Sequence, residues 1–319
     1  HLNSDTDFET LQRRVEQALD EAINQFDKVG NKEHFPVEFE GGIQMSAQFG
    51  GDQYIAGQKE PVIDMPTRFV DFMRVLVPMA GDDTTPEGEQ VNIYGNHVGS
   101  WNFAATAYLN RWKVKIYYEH YFDDHSQMFF QYGRWKDGHI GLEITFPKNR
   151  FIDTFVYEGL GTKDQTGPML YDSFWGKFEE QISAKDNYYN HYLYQGWQHW
   201  GMGIGNPLLP GPIYNKNGQI TFISNRVLAH HIGFCGSPCQ SLSYRMLLSY
   251  SRHWGTYDNP LNEIKKQFNS LFEVTYAPQQ LKGWSFTVSG AMDRGSILGN
   301  NYGGMLVIRK QGIIKSGNK

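Results

Sequence analysis

Ten side chains in the long polar segments of this sequence carry groups suited to recognising a sugar. Aromatic faces stack on sugar rings, while carboxylates and amides form hydrogen bonds with hydroxyl groups. The ten candidate ligand-binding residues are Trp135, Asp137, Asp164, Gln165, Asp186, Asn187, Tyr188, Tyr189, Trp254 and Tyr257. The alternative for each of them is a role in packing a loop, since the aromatic residues between positions 171 and 194 are enough to build a small core.

Motifs for other chemistries do not occur in the sequence. It has no nucleophile elbow, no phosphate-binding loop and no zinc-ligand spacing. The spaced glycines of Gly201–Gly205 lack the following helix that a nucleotide site needs. His230 and His231 are adjacent on a predicted strand and point to opposite faces, so they cannot act jointly as metal ligands. We therefore expect no catalytic residue, no metal and no cofactor.

Four charged residues, Glu119, Glu158, Arg245 and Glu273, occupy the polar faces of predicted strands. A pair of carboxylates can serve as the acid and the nucleophile of a glycosidase. Charges on the inward face of a barrel more often form structural networks. The sequence favours the structural network over a catalytic pair.

Alternation of apolar and polar residues identifies the elements that position these groups. Between Phe35 and Phe49 every odd position is apolar or glycine, whereas the even positions include carboxylates and amides. Successive side chains of a strand point to opposite faces, so this segment has one apolar and one polar face. It is longer than the ~9–11 residues that a tilted strand needs to cross a bilayer.

Similar alternation predicts ten long strands along the chain. They cover residues 35–49, 100–110, 112–122, 140–146, 151–160, 226–236, 242–252, 268–277, 284–293 and 302–309. Short turns near residues 110, 148, 238 and 280 alternate with longer polar stretches at 50–96, 123–138, 161–224, 253–266 and 294–301. Short turns at one end and long loops at the other are typical of outer-membrane barrels.

Strand direction constrains the longest of these stretches. If the short turns are periplasmic, strand 151–160 ends outside the cell and strand 226–236 begins there, so residues 161–225 contain an even number of crossings or none. We interpret 161–225 as one large extracellular excursion, which forms the recognition surface together with loops 123–138 and 253–266.

The chain is divided into a region 1–34 and a barrel portion 35–319. Residues 5–29 have a capping box and an apolar stripe, which predict an amphipathic helix packed in or against the mouth of the barrel. The first long strand runs outward, so we expect the chain to be the later portion of a larger barrel.

The composition excludes several classes of protein. A formal net charge of -5 in 319 residues, without a basic stripe, argues against nucleic-acid binding. No run approaches the ~18 apolar residues of a membrane-spanning helix. The aromatic content of 15% suits the girdles of a membrane barrel and also a sugar-binding sandwich. Cys235 and Cys239 flank a Ser-Pro turn, and their spacing leaves both a disulfide and free thiols open.

Six segments, taken in order, carry a resemblance to a known family. They are Gln44–Gly51, Gly95–Ser100, Tyr117–Asp124, Thr162–Pro168, Asp186–His191 and Gly205–Leu208. These segments resemble the Wzi-like capsule-assembly family of Gram-negative outer-membrane proteins, in the form found in Bacteroidota-type bacteria. The resemblance implies an outer-membrane barrel of roughly eighteen strands that binds capsular polysaccharide and helps to hold it at the cell surface. The chain departs from the family in its 5–29 helix and in a C-terminus without an aromatic residue.

We therefore expect an all-β protein, an antiparallel transmembrane β-barrel with long extracellular loops and one N-terminal amphipathic helix, in the cell outer membrane. Its expected function is that of a surface lectin that binds capsular polysaccharide and helps to attach it to the cell. Expected partners are this polysaccharide, outer-membrane lipid and lipopolysaccharide. Two alternatives remain: a structural barrel subunit that assembles with other outer-membrane proteins, and a glycan-acting enzyme.

Overall fold

The computed structural model describes residues 36–312, except for 124, 132–134, 150 and 195. Among these residues the strands are β1 (Val37–Gln48), β2 (Gly51–Gln53), β3 (Ile63–Met65), β4 (Asn96–Leu109), β5 (Trp112–Phe122), β6 (Gly138–Thr145), β7 (Thr154–Gly161), β8 (Leu170–Tyr171), β9 (Ile182–Ser183), β10 (Gln198–His199), β11 (Met202–Gly203), β12 (Val227–Cys239), β13 (Leu242–Gly255), β14 (Pro260–Tyr276), β15 (Trp284–Gly295) and β16 (Asn301–Lys310). The α-helices are α1 (Phe69–Leu76), α2 (Glu87–Val91) and α3 (His125–Met128), and 3-10 turns cover Ser173–Trp175 and Pro212–Tyr214. The predicted helix 5–29 and the region 1–34 lie outside the described residues.

Ten long strands form one antiparallel sheet, in the order β1-β4-β5-β6-β7-β12-β13-β14-β15-β16. Each pairs with the next long strand along the chain, so the sheet is a meander whose described edges are β1 and β16. All ten predicted strands are present, which confirms the prediction of an all-β antiparallel fold. The short strands form three separate two-stranded sheets, β2-β3, β8-β9 and β10-β11.

The pairing register places unlike residues on the two faces of the sheet. One row of paired residues runs Phe39, Ala105, Ile116, Leu142, Tyr157, Ile232, Leu248, Ser270, Met292 and Tyr302. The next row, on the opposite face, runs Glu40, Ala104, Tyr117, Gly141, Glu158, His231, Ser249, Asn269, Asp293 and Asn301. Gly141 leaves room for the ring of Tyr117, which a Cβ at this position would displace. One face, called outward here, is mainly apolar, and the other, called inward, is mainly polar.

The outward face is uncovered over most of its area. Ile116 is 54% exposed, Phe272 is 50% exposed and Val288 is 60% exposed, although all three are large apolar side chains on strands that are paired on both sides. Val114, Ile144 and Phe286, which the alternation assigns to the apolar side, share this face through the register. None of the helices in the described part of the chain is long and apolar enough to span a membrane.

The inward face is curled around a partly enclosed space. Gln44 of β1 and Asn269 of β14 line the same cavity, although their strands are the first and the eighth in the sheet. Further along the inward face, ion pairs join Lys115 to Glu40 at 3.0 Å and Arg245 to Glu273 at 3.3 Å. The predicted network of inward charges is therefore present at Arg245 and Glu273.

Residues 162–226 connect neighbouring strands β7 and β12 and contribute no strand to the main sheet. The described residues of this stretch therefore add no crossing to the main sheet. Its two ends are joined by hydrogen bonds: the Thr162 amide donates to the Val227 carbonyl at 2.9 Å, and the Thr162 hydroxyl donates to the Asn225 carbonyl at 2.6 Å. We refer to residues 162–226 as the cap.

The cap folds back over the inward face. Its side chains Tyr189, Leu209 and Phe222 form a buried cluster with Val227 and Ala229 of β12. Val98 and Leu160, on the inward faces of β4 and β7, pack against the same cluster. Apolar residues at the cap end of the inward face thus hold the cap in place, while polar residues continue below it.

Several connections differ from their sequence-based boundaries. Residues 50–96 contain the hairpin β2-β3 and helices α1 and α2, which the sequence analysis did not identify. The loop expected over 253–266 is reduced to residues 256–259, because β13 and β14 continue their pairing beyond His253. Cys235 and Cys239 are free thiols.

We expect Phe222→Ala to loosen the cap without unfolding the sheet. Phe222 is 1% exposed, and removing a buried Phe side chain costs about 3–5 kcal/mol through lost burial and a residual cavity. Trypsin cleavage after Lys216, inside the cap, should therefore become much faster in the variant. The neighbouring variant Ile223→Ala is the control, since Ile223 is 39% exposed and therefore less buried than Phe222. Equal cleavage rates in the two variants would contradict this packing.

Candidate functional site

A cavity of about 810 Å³ lies between the inward face of the sheet and the cap. Its wall on the sheet side comes from eight strands, and most of the lining residues there are polar. The polar side chains are Gln44, Ser46, Ser100, Tyr121, His139, Glu158, His231, Ser249, Ser251, His253, Gln267 and Asn269. The cap contributes Tyr188, Tyr189, Asn206, Pro207 and Leu208.

The strand residues of the cavity are organised by pairs across neighbouring strands. His231 Nδ1 lies 2.7 Å from Ser249 Oγ, and these residues are register partners on β12 and β13. His139 Nε2 lies 3.4 Å from Glu158 Oε1, and the Tyr117 hydroxyl donates to the same carboxylate. The wall thus offers hydroxyl, imidazole and carboxylate groups in fixed positions.

His230 and His231 illustrate how the alternation decides which groups reach the cavity. His231 faces the cavity, whereas His230 Nδ1 lies 2.8 Å from the Tyr157 hydroxyl on the outward face. This arrangement confirms that the two imidazoles do not act together. Among the described residues, no group of three or more His, Cys, Asp or Glu side chains is arranged to hold a metal ion.

The cap side of the cavity presents an aromatic wall. Tyr188 and Tyr189 both line the cavity, and Tyr189 has a positive φ of 71° at the turn that directs these rings. The Tyr189 hydroxyl accepts a hydrogen bond from the Asn206 amide at 3.0 Å, and its ring meets the Phe222 ring edge-on at 5.1 Å between centroids. These two predicted site residues therefore lie at a cavity, with most of their surface buried.

Asp137 is the centre of the junction between the cap and the sheet. It is almost fully buried, immediately before β6. Its carboxylate accepts hydrogen bonds from the Asp164 amide at 2.8 Å, the Gln165 amide at 2.6 Å and the Tyr188 hydroxyl at 3.0 Å. Burial raises the pKa of Asp137 to about 6, although the three donors act in the opposite direction.

Asn187 and Asp186 belong to the same junction. Asn225, at the far end of the cap, donates from its amide nitrogen to Asn187 Oδ1 at 2.5 Å and to the Tyr188 carbonyl at 2.8 Å. The Asp186 amide donates to the Gln165 carbonyl at 3.0 Å. The segment Asp186–Tyr189 (Asp-Asn-Tyr-Tyr) is thus hydrogen-bonded to both ends of the cap.

Tyr257 and Trp254 hold the base of the cap from the β13–β14 end. The Arg226 guanidinium lies 3.7 Å from the centre of the Tyr257 ring, and the Tyr257 hydroxyl donates to the Asp164 carbonyl at 2.7 Å. The Lys163 ammonium lies 4.7 Å from the centre of the Trp254 ring. Cation–π contacts of this kind contribute roughly 0.5–2 kcal/mol each.

Trp135 is the one predicted site residue that lies mainly at the surface. It is 60% exposed and stacks on Phe130 at a centroid distance of 4.5 Å. The other nine residues converge on the junction and the cavity. The ten candidate residues predicted from the sequence include none of the strand residues that line the cavity. The alternation of apolar and polar residues could have identified them, because they occupy inward positions on their strands.

Searches against protein-family models, curated proteins and solved structures found no match to this chain.

The junction should weaken as the pH rises. The pKa of Asp137 is about 6 in the folded state, whereas an Asp side chain in an unfolded chain has a pKa of ~3.9. The protonated carboxyl group therefore stabilises the folded state fully below about pH 4, and this contribution is lost as the pH rises through about 6. We expect the hydrogen-exchange protection of the Gln165 amide, corrected for intrinsic exchange, to fall between these pH values. In Asp137→Asn, protection should be lower throughout and independent of this titration. A parallel pH dependence in both proteins would contradict the assignment to Asp137.

Proposed function

We propose that this protein is an outer-membrane β-barrel protein of the Wzi-like kind, which binds a surface polysaccharide and helps to attach it to the cell. The observation that carries the proposal is the uncovered apolar face of the ten-stranded sheet, opposite a polar inward face with a capped cavity. The proposal includes the barrel portion 35–319, with the long connections on the extracellular side. It describes a binding protein, not an enzyme.

The size of the outward face supports a bilayer environment. Ten strands spaced by about 4.8 Å make a face that is roughly 40 Å wide, so an apolar band of ordinary strand height covers on the order of 1,000 Å². Soluble monomers rarely expose contiguous apolar patches of more than a few hundred Å². Hydrocarbon removes the free-energy cost of this exposure, while the backbone groups of the strands between the edges β1 and β16 remain paired within the sheet.

The cavity supports a glycan as the ligand. Its volume of about 810 Å³ lies within the ~300–1,000 Å³ of typical ligand sites. Tyr188 and Tyr189 provide aromatic surface on one wall, and Ser, His, Gln and Asn side chains provide hydrogen-bonding groups on the other. This division matches sugars, which present apolar ring faces and hydroxyl groups.

A single carboxylate in the cavity also favours binding over hydrolysis. Glu158 is the only Asp or Glu among the described lining residues. Glycoside hydrolysis by the usual route needs two carboxyl groups that lie roughly 5–9 Å apart across the bond.

Replacement of Ile116 by Arg should test the bilayer environment. If Ile116 lies near the middle of the bilayer, Ile116→Arg should lower the free energy of unfolding by about 2–4 kcal/mol in lipid vesicles. Ile204→Arg is a matched control, because Ile204 in the cap is also 54% exposed. The control should change stability by no more than about 0.5 kcal/mol. Similar small effects at both positions, measured by denaturant titration, would contradict the membrane proposal.

Filling the cavity should abolish polysaccharide retention. Gln44 faces the cavity, whereas its neighbour Ile43 faces outward, so Gln44→Trp adds bulk inside and Ile43→Trp adds it outside. We expect cells with Gln44→Trp to lose surface polysaccharide, measured as hexose retained after washing, and cells with Ile43→Trp to retain it. Equal amounts of folded protein must be present in both.

The variant Trp135→Ala tests whether the polysaccharide binds in the cavity or on the outer loops. If only this exposed aromatic residue affects retention, the outer loop 123–138 binds the glycan and the cavity does not. If none of the three variants changes retention, the lectin proposal fails and the structural-subunit alternative takes its place.

A further inference from the structure

Helix α1 is amphipathic, but its orientation is inverted relative to that of an ordinary surface helix. Phe69, Phe72, Met73 and Leu76 recur at helical spacing and form one apolar stripe. In a soluble domain such a stripe faces the core. Here Phe69 is 68% exposed and Leu76 is 53% exposed, whereas Asp71 is 0% exposed.

The buried side of α1 is held by Val75, which packs in a buried cluster with Met65 and Tyr94, and by a network of charges. Arg68 Nε lies 2.8 Å from Asp71 Oδ2, and Arg74 Nη1 lies 3.0 Å from Asp71 Oδ1. Both arginines also reach Asp82, at 2.9 and 2.8 Å. A buried carboxylate with two guanidinium partners satisfies its need for pairing, so the inverted orientation is fixed by specific contacts. The same pairing keeps these charges away from the exposed stripe.

Helix α1 sits against the outward side of the sheet, at the end where β1 and β4 meet the long connections. The Phe72 ring lies 6.2 Å from the Phe49 ring, directly after β1. His97 Nε2 lies 3.0 Å from the Val75 carbonyl, and His97 is paired with Ala47 on the outward face. The exposed stripe of the helix is therefore continuous with the apolar face of the sheet.

We propose that α1 lies in the interfacial layer of the bilayer, with its apolar stripe inserted into the acyl-chain boundary. The inference rests on the proposed function, because it needs the outward face to be in lipid. An interfacial helix inserts its apolar face roughly 5–10 Å into this boundary. The helix then sets the depth at which the long-connection end of the sheet meets the membrane surface.

Lipid fits this surface better than a protein partner does. The exposed side of a single helix is convex. Phe69, Phe72 and Leu76 offer no charged or hydrogen-bonding group to orient a partner, and specific protein interfaces are usually edged by such groups. Fluid acyl chains require neither shape complementarity nor polar pairing.

Spin-label accessibility can test the position of α1 separately from that of the sheet. Single cysteines are introduced by Phe72→Cys, Ile116→Cys and Lys59→Cys in a Cys235→Ser, Cys239→Ser background, labelled with a nitroxide and reconstituted in phosphatidylcholine vesicles. Ile116 reports the outward face, and Lys59 is an exposed site between β2 and β3. Oxygen concentrates in lipid and a nickel chelate stays in water, so their collision ratio distinguishes the two environments.

The expected oxygen-to-nickel ratio at residue 72 is close to the ratio at residue 116 and several-fold higher than the ratio at residue 59. A high ratio at 116 with a water-like ratio at 72 overturns the α1 proposal and leaves the membrane sheet intact. Low accessibility to both reagents at 72, with a high ratio at 116, overturns it in favour of contact with a second copy of this chain or with another part of the same chain. Water-like ratios at both 72 and 116 reject the proposed function itself.

Discussion

Antiparallel pairing across ten strands assigns every side chain to one of two faces, and the rest of the structure depends on that assignment. A slip of one residue between any two strands would exchange the faces beyond that point. The register holds from Phe39 on β1 to Tyr302 on β16, so the apolar row and the polar row stay separate across the whole sheet. Because the ladders satisfy the backbone groups of the strands between the edges β1 and β16, the side chains determine what medium each face accepts.

The inward face needs partners for its polar groups, and the cap supplies some of them. Asp137 alone joins the sheet to Asp164, Gln165 and Tyr188. Such contacts are strong only while they are complete, since a buried donor or acceptor without a partner costs roughly 1–3 kcal/mol. The Asp-Asn-Tyr-Tyr segment therefore has a structural role: its hydrogen bonds hold the cap on the sheet. The same hydrogen bonds position the two tyrosine rings at the cavity.

Sequence periodicity predicted the elements that depend on local sequence. It did not predict the contacts between residues that are far apart in the sequence. The alternation located all ten long strands, and strand direction showed that one excursion joins β7 to β12. It did not reveal that the excursion folds inward, because Tyr188 finds Asp137 at a separation of 51 residues and no local pattern encodes that meeting. Helix α1 was missed for a similar reason: an apolar stripe of eight residues indicates a helix weakly, and Arg68 and Arg74 find a common partner in Asp82 outside the helix.

Lipid-borne photochemistry tests most directly whether the outward face meets lipid along every long strand, as we propose. A phospholipid with a diazirine on its acyl chain labels the side chains that it touches, and peptide mass spectrometry locates the label. We predict labelling at alternate positions, including Phe103, Ile116 and Val288, and none at the inward residues Thr106, Lys115 and Ser289. Labelling without this alternation, or no labelling of the sheet, would rule out a sheet that faces lipid.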